Sequence, residues 1–158
     1  MRYESSKSMR SLGDWLGEQP YTLGLSSGFF GFFAHTGVLI ALDEARLLPS
    51  AVVGSSAGAL CGGLWAAGLG PCAMRRELEA LQRADFWDPA VGFGVLRGRR
   101  FREKLETLLP VTTFEACRVD LAVSVFDVLS ARTQVVDSGH LASALHASCA
   151  VPFMFQPC

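Results

Sequence analysis

Ser56 is the residue in this sequence whose surroundings point most directly to chemistry. It lies in Ala51-Val-Val-Gly-Ser-Ser-Ala-Gly-Ala-Leu60, a short apolar run that passes through Gly54-x-Ser56-x-Gly58 into a stretch of small residues. Read as strand, sharp turn and helix, this is the context in which a G-x-S-x-G pattern lifts a serine hydroxyl off the end of a sheet. The same turn sets that hydroxyl at the positive end of the following helix. Gly54 and Gly58 suit a turn with little room for a β-carbon. A serine held this way is a candidate nucleophile toward acyl carbon, and it then needs a base and donors for the developing oxyanion.

Size and composition bound the possibilities. The chain has 158 residues, half of them apolar, enough for one core, and a formal charge of −1. That balance gives no argument for nucleic acid. Cysteines at 61, 72, 117, 149 and 158 form no CxxC pair and have no metal-ligand spacing with His35, His140 and His146. We therefore expect free thiols acting as small buried apolar residues, no metal and no organic cofactor. The first 28 residues hold no apolar leader core, and the apolar run Leu23 to Leu42 is broken by glycines, Ser26, Ser27, His35 and Thr36. The expected location is the cytoplasm, with peripheral contact at membranes.

The elements that must position Ser56 follow from periodicity. Residues 1–20 read as a loose, partly helical arm and 21–158 as one domain. Tyr21–Leu25 and Ala51–Val53 read as strands, and 32–47 as a helix with Val38, Leu39, Leu42 and Ala45 on one face, closed by Pro49. Ala57–Ala67 reads as a small-residue helix pressed on a sheet. This strand–helix–strand–helix opening predicts a parallel sheet with right-handed crossovers. Further on, 72–83 and 99–109 read as helices around a Gly- and aromatic-rich loop at 85–98. Val119–Phe126 and Thr133–Val136 read as strands, 141–147 as a short helix, and the residues from Ala150 as an extended piece.

Three separated segments resemble one family. Leu25-Ser-Ser-Gly-Phe-Phe-Gly-Phe-Phe-Ala-His-Thr-Gly-Val-Leu39 is similar to the Gly-rich loop and first helix of patatin-like phospholipases. Val53-Gly-Ser-Ser-Ala-Gly-Ala59 resembles their nucleophile elbow. Ser138-Gly-His-Leu-Ala-Ser-Ala-Leu-His-Ala-Ser-Cys-Ala-Val-Pro152 resembles their late Ala-Ser-x-Ala-x-Pro block. Order and spacing agree over 21–158. The resemblance implies a three-layer α/β/α sandwich with a mainly parallel central sheet, hydrolysing lipid acyl esters with a Ser–Asp dyad. Ser56 would be the nucleophile. Backbone N–H groups of Gly28, Phe29, Phe30 and Gly31, with Ala57 at the helix start, would form the oxyanion hole. Ser148 and Pro152 would be structural supports.

Two departures carry consequences. The loop keeps only Gly28 of the family's glycine triplet and lacks the following arginine; Gly-Phe-Phe-Gly instead resembles the Gly-Phe-Leu-Gly of an animal acylglycerol-lipase branch, with its flanking spacing shifted by one. Loss of that cation weakens any preference for a phosphate headgroup, while the phenylalanines suit acyl chains. Nor is any aspartate here followed by glycine, so the Asp-Gly-Gly or Asp-Gly-Ala motif that completes the dyad is missing. The expectation is a C-terminally incomplete domain, inactive or nearly so as written, or a non-catalytic remnant that binds lipid or a partner chain.

Blander and rival readings stand beside these. Gly28–Gly31 also reads as a turn with buried aromatics, and His35 as a core or capping residue. Ser56 with Asp127 or Asp137 and His140 or His146 has the chain order of an α/β-hydrolase triad. Arg97-Gly-Arg-Arg-Phe-Arg102 reads as a solvated turn opening a helix, with anionic lipid headgroups as its functional alternative.

Overall fold

The computed structural model describes residues 10–92, 94–151 and 153–156. A four-stranded sheet lies at the centre, ordered β1-β2-β4-β5, from β1 (Thr22–Leu25), β2 (Ala51–Ser55), β4 (Asp120–Asp127) and β5 (Arg132–Val136). The first three strands are parallel, in the register Gly24–Val53–Ala122, and β5 returns antiparallel on β4. A second, two-stranded parallel sheet pairs β3 (Gly94–Leu96) with β6 (Phe153–Phe155). This is the α/β architecture with a mainly parallel sheet that the opening elements predict.

Because β1, β2 and β4 advance across the sheet in one direction, right-handed crossovers put their connecting helices on one face. Val52, Gly54, Leu121 and Val123 are buried beneath that layer. On the opposite face Val53, Phe126 and Val135 are 44, 57 and 69 % exposed, and among the described residues no helix covers them. The covering layer holds α2 (Gly31–Glu44), α3 (Ala57–Ala66), α4 (Pro71–Glu79), α5 (Arg99–Leu108) and α6 (Leu141–Cys149). Every residue of α3 is buried. Its small side chains are what allow this: a Cβ on Gly62 would stand 2.7 Å from a Val52 methyl, and one on Gly63 2.6 Å from Leu145. The core is completed by Leu39, Trp65, Met74, Leu105, Phe114 and Leu145.

Several boundaries differ from the sequence reading. Helix α2 ends at Glu44, before Pro49, because Arg46 takes φ 57° and the Leu47 N–H reaches back to the Leu42 carbonyl at 2.9 Å. That six-to-one bond closes the helix end without proline. In the arm, Leu12–Gly17 forms α1, capped by reciprocal Ser11 and Asp14 bonds. Helix α4 stops at Glu79, and 83–85 is a short 3-10 turn. The region 85–98 is not all loop, since it contains β3. Cys61 is buried as expected, but Cys72 is exposed on the outer side of α4. Cys158 and Pro152 lie outside the described residues.

Candidate active site

Ser56 sits where β2 ends and α3 begins, with φ 50° and ψ −116°. L-residues rarely adopt this conformation, and strain of this kind costs about 1–3 kcal/mol and persists only where the surroundings enforce it. Two glycines and one serine do so. A Cβ on Gly58 would lie 2.1 Å from the Leu25 carbonyl oxygen, and one on Gly54 2.7 Å from the Ala59 backbone, so β1, β2 and α3 can meet this closely only with glycine at both positions. From α6, the Ser148 hydroxyl accepts the Ser56 N–H at 2.8 Å, and the Cys149 thiol donates to the Ser56 carbonyl at 3.3 Å. Burial pushes the Cys149 thiol up to about 12, so it stays a neutral donor.

The loop before α2 is brought to the same place. A Cβ on Gly31 would stand 3.7 Å from Ala57 and 3.2 Å from the His35 ring, which places the loop beside the start of α3. His35 Nε2 contacts the Ser26 carbonyl at 2.8 Å, tying the first turn of α2 to the segment leaving β1. His35 is half-buried and caps no N–H of α2, so it is a tie between two segments and not the core or capping residue expected from its position. The Gly31 N–H donates to the Gly28 carbonyl at 2.8 Å and is engaged inside the turn. Among the described residues the N–H groups of Gly28, Phe29, Phe30 and Ala57 donate to no other group. The phenylalanines are not buried: Phe29 and Phe30 are 71 and 70 % exposed, packed edge to face at 5.0 Å, and Phe33 is also exposed.

Ser56 and Ser148 open onto a cleft of about 460 Å³, lined also by Ser124, Asp127, Val151, Phe155 and Gln156. The contributions from β4 and from the chain around β6 were not read from the sequence. The signal was available: in open parallel sheets, sites gather at the carboxyl ends of the strands, and Ser124 follows directly from its pairing with Ser55.

The residues of a three-membered triad do not assemble around the hydroxyl. His140 caps α6, its ring accepting the Ser143 N–H, while Ser148 lies at the opposite end of that nine-residue helix. His146 is buried against Phe101 and Phe155. Asp127 lines the cleft but stands three residues beyond Ser124, roughly 10 Å along the strand. Its carboxylate accepts the Leu129 N–H at 2.9 Å and the Ser130 hydroxyl at 2.7 Å, and these bonds hold it below its ordinary pKa. Asp137 lies just past the end of β5. Among the described residues no carboxylate or imidazole hydrogen-bonds the Ser56 hydroxyl. No group of His, Cys, Asp and Glu among them could hold a metal ion, and no helix among them is long and apolar enough to cross a membrane.

A strained serine between a strand of a mainly parallel sheet and a buried helix, beside a glycine-bounded loop, defines an α/β protein of the serine-elbow class. A family model described as patatin-like phospholipase matches residues 23–158, and the chain belongs to that family. It is 28 % identical over 138 residues to uncharacterized NTE family proteins of Mycobacterium bovis and Mycobacterium tuberculosis, a match that covers 85 % of this chain and 38 % of theirs. The fold is similar to that of the type III effector protein ExoU, with a TM-score of 0.52 at 18 % identity, over 84 % of this chain and 39 % of that one. The chain thus spans well under half the length of the relatives it matches.

Proposed function

We propose that these residues carry the nucleophile half of a lipid acyl hydrolase, with Ser56 attacking the ester carbonyl. The observation that supports this most is the strained Ser56 backbone, held by Ser148 and opening into the cleft. In this reading the oxyanion of the tetrahedral intermediate is met by the N–H groups of Phe29, Phe30 and Ala57, at the positive end of α3. Prearranged donors of this kind are worth about 3–4 kcal/mol each in a dry site. Exposed Phe29, Phe30 and Phe33 offer the acyl chain an apolar approach. The expected setting is cytoplasmic, with peripheral contact at membranes.

The dyad's aspartate would come from residues beyond these 158. Among the described residues no base meets the Ser56 hydroxyl, and in this reading hydrolysis by these 158 residues alone is slow or absent. A Ser56 hydroxyl that meets no base among the described residues is also what a non-catalytic lipid-binding domain would show. An ester-hydrolysis assay of the chain against Ser56→Ala, repeated on a version extended through an Asp-Gly-Gly or Asp-Gly-Ala segment, tests both readings. Turnover in the extended chain that Ser56→Ala removes supports the enzyme; equal rates with and without the hydroxyl withdraw the catalytic claim.

A further inference from the structure

The segment 83–102 carries five arginines against two aspartates, in a chain whose overall charge is −1. The structure folds this segment into a definite surface feature. Pro89 and Leu96 face each other in an antiparallel bridge, the Ala90 N–H donates to the Val95 carbonyl at 3.0 Å, and the Arg97 N–H donates to the Asp88 carbonyl at 3.1 Å. Residues 88–92 and 94–97 therefore run as the two arms of a narrow hairpin. Val91 near its tip is fully exposed, and Val95 is 57 % exposed. Gly94 and Leu96 are buried, so Val95 and Arg97 point outward together.

The base of the hairpin adds aromatic rings and cations. Phe86 and Trp87 are exposed, and the Arg83 guanidinium lies 3.9 Å from the Trp87 ring centre. Arg100 Nη1 reaches the Ala84 carbonyl at 3.1 Å, which draws the start of α5 against the Arg83–Trp87 turn. Both aspartates are engaged by local backbone and not by an arginine side chain: Asp85 accepts the Gln82 N–H, and Asp88 accepts those of Gly98 and Arg100. Arg99 pairs with Glu103 and Arg102 with Glu106, but among the described residues Arg83, Arg97 and Arg100 have no carboxylate in ion-pair reach. A solvated turn accounts for the arginines; it does not account for Val91, Val95, Phe86 and Trp87 standing exposed among them.

We propose that this hairpin is a docking surface for anionic lipid bilayers. Apolar side chains at the tip enter the interface, Trp87 sits at headgroup depth, and the arginines meet the acidic headgroups. The hairpin also touches the cleft wall. Gln156 donates from its backbone to the Leu96 carbonyl and from its side chain to the Val91 carbonyl, and Phe155 and Gln156 line the cleft that holds Ser56. Docking here would hold the serine beside the lipid surface. That consequence rests on the lipid-hydrolase reading; the docking itself does not.

The test is co-sedimentation of the whole chain with vesicles of phosphatidylcholine alone and of phosphatidylcholine mixed with phosphatidylserine. Binding is expected to favour the anionic vesicles by roughly tenfold or more and to fade as salt is raised. Arg83→Glu combined with Arg97→Glu, which reverses two of the cations without a carboxylate partner, should lower anionic-vesicle binding by about tenfold or more. Val91→Asp should lower it with an unchanged circular dichroism spectrum, since that side chain packs on nothing. Ser56→Ala should bind as the parent does, which separates this inference from the catalytic one. Equal partition onto both vesicles, no partition onto either, or parental binding by the arginine variant would overturn it. So would tight binding of single-stranded RNA without vesicle binding, which would reassign the patch to nucleic acid.

Discussion

Ser148 and Ser56, 92 positions apart in the sequence, are joined by one hydrogen bond: the Ser148 hydroxyl accepts the Ser56 N–H at 2.8 Å. The bond ties α6 to the elbow and gives a partner to an amide that would otherwise be left over at the helix start. Ser148→Ala removes only the acceptor. We expect a loss of about 1–2 kcal/mol in urea unfolding, the cost of leaving a partly buried donor unsatisfied. A change indistinguishable from zero would mean that water replaces the hydroxyl and that α6 does not set the elbow.

Strain at Ser56 makes a prediction of opposite sign. Glycine accepts φ 50°, ψ −116° without the penalty a Cβ brings. Ser56→Gly should raise the unfolding free energy by about 1 kcal/mol, net of the entropy glycine adds to the unfolded chain, while removing any reactivity at this site. A destabilised Ser56→Gly protein would show that the hydroxyl is chiefly a structural group.

The glycines divide into those the site needs and those it does not. Gly58→Ala drives a Cβ to 2.1 Å from the Leu25 carbonyl and should cost roughly 3 kcal/mol or more, or prevent folding. Gly37, inside α2, has nothing within 4 Å of its Cβ position, and Gly37→Ala should stabilise by about 0.5–1 kcal/mol. Denaturation midpoints of the pair measure the contrast. Similar effects at both positions would contradict the close approach of β1 and α3.

His146 predicts a pH dependence of stability. Burial first, and the nearby Arg102 second, hold its imidazole below the ordinary 6.5, with Asp88 opposing. Below that value the unfolded chain takes up a proton that the folded chain resists, so stability is present above 6.5 and falls as the pH is lowered through the folded value. Thermal midpoints should decline on acidification more steeply in the parent than in His146→Leu. Parallel profiles would remove His146 as the source.

Much of the site was legible because it rests on local backbone geometry. Gly54, Ser56 and Gly58 announce their turn through spacing, and the Ala-Ser-x-Ala block marks Ser148 before any contact is known. The pairing of β3 with β6 was not legible. Each strand has three residues, too few for a period, and Gly94 meets Phe153 across most of the second half of the chain. The open face of the sheet was hidden for another reason. Val53, Phe126 and Val135 make their strands read as apolar on both sides, which suggests cover on both faces. Pattern records what a face is suited to meet, and only coordinates show what meets it.

The central claim, that Ser56 is a poised nucleophile, is tested most directly by treating the chain with a fluorophosphonate probe and locating the adduct by peptide mass spectrometry. The account predicts a slow adduct on Ser56, absent in Ser56→Ala and faster in a chain extended through an Asp-Gly-Gly or Asp-Gly-Ala segment. An adduct placed on Ser55, Ser124 or Ser148 instead, or none on Ser56 in either chain, would contradict it.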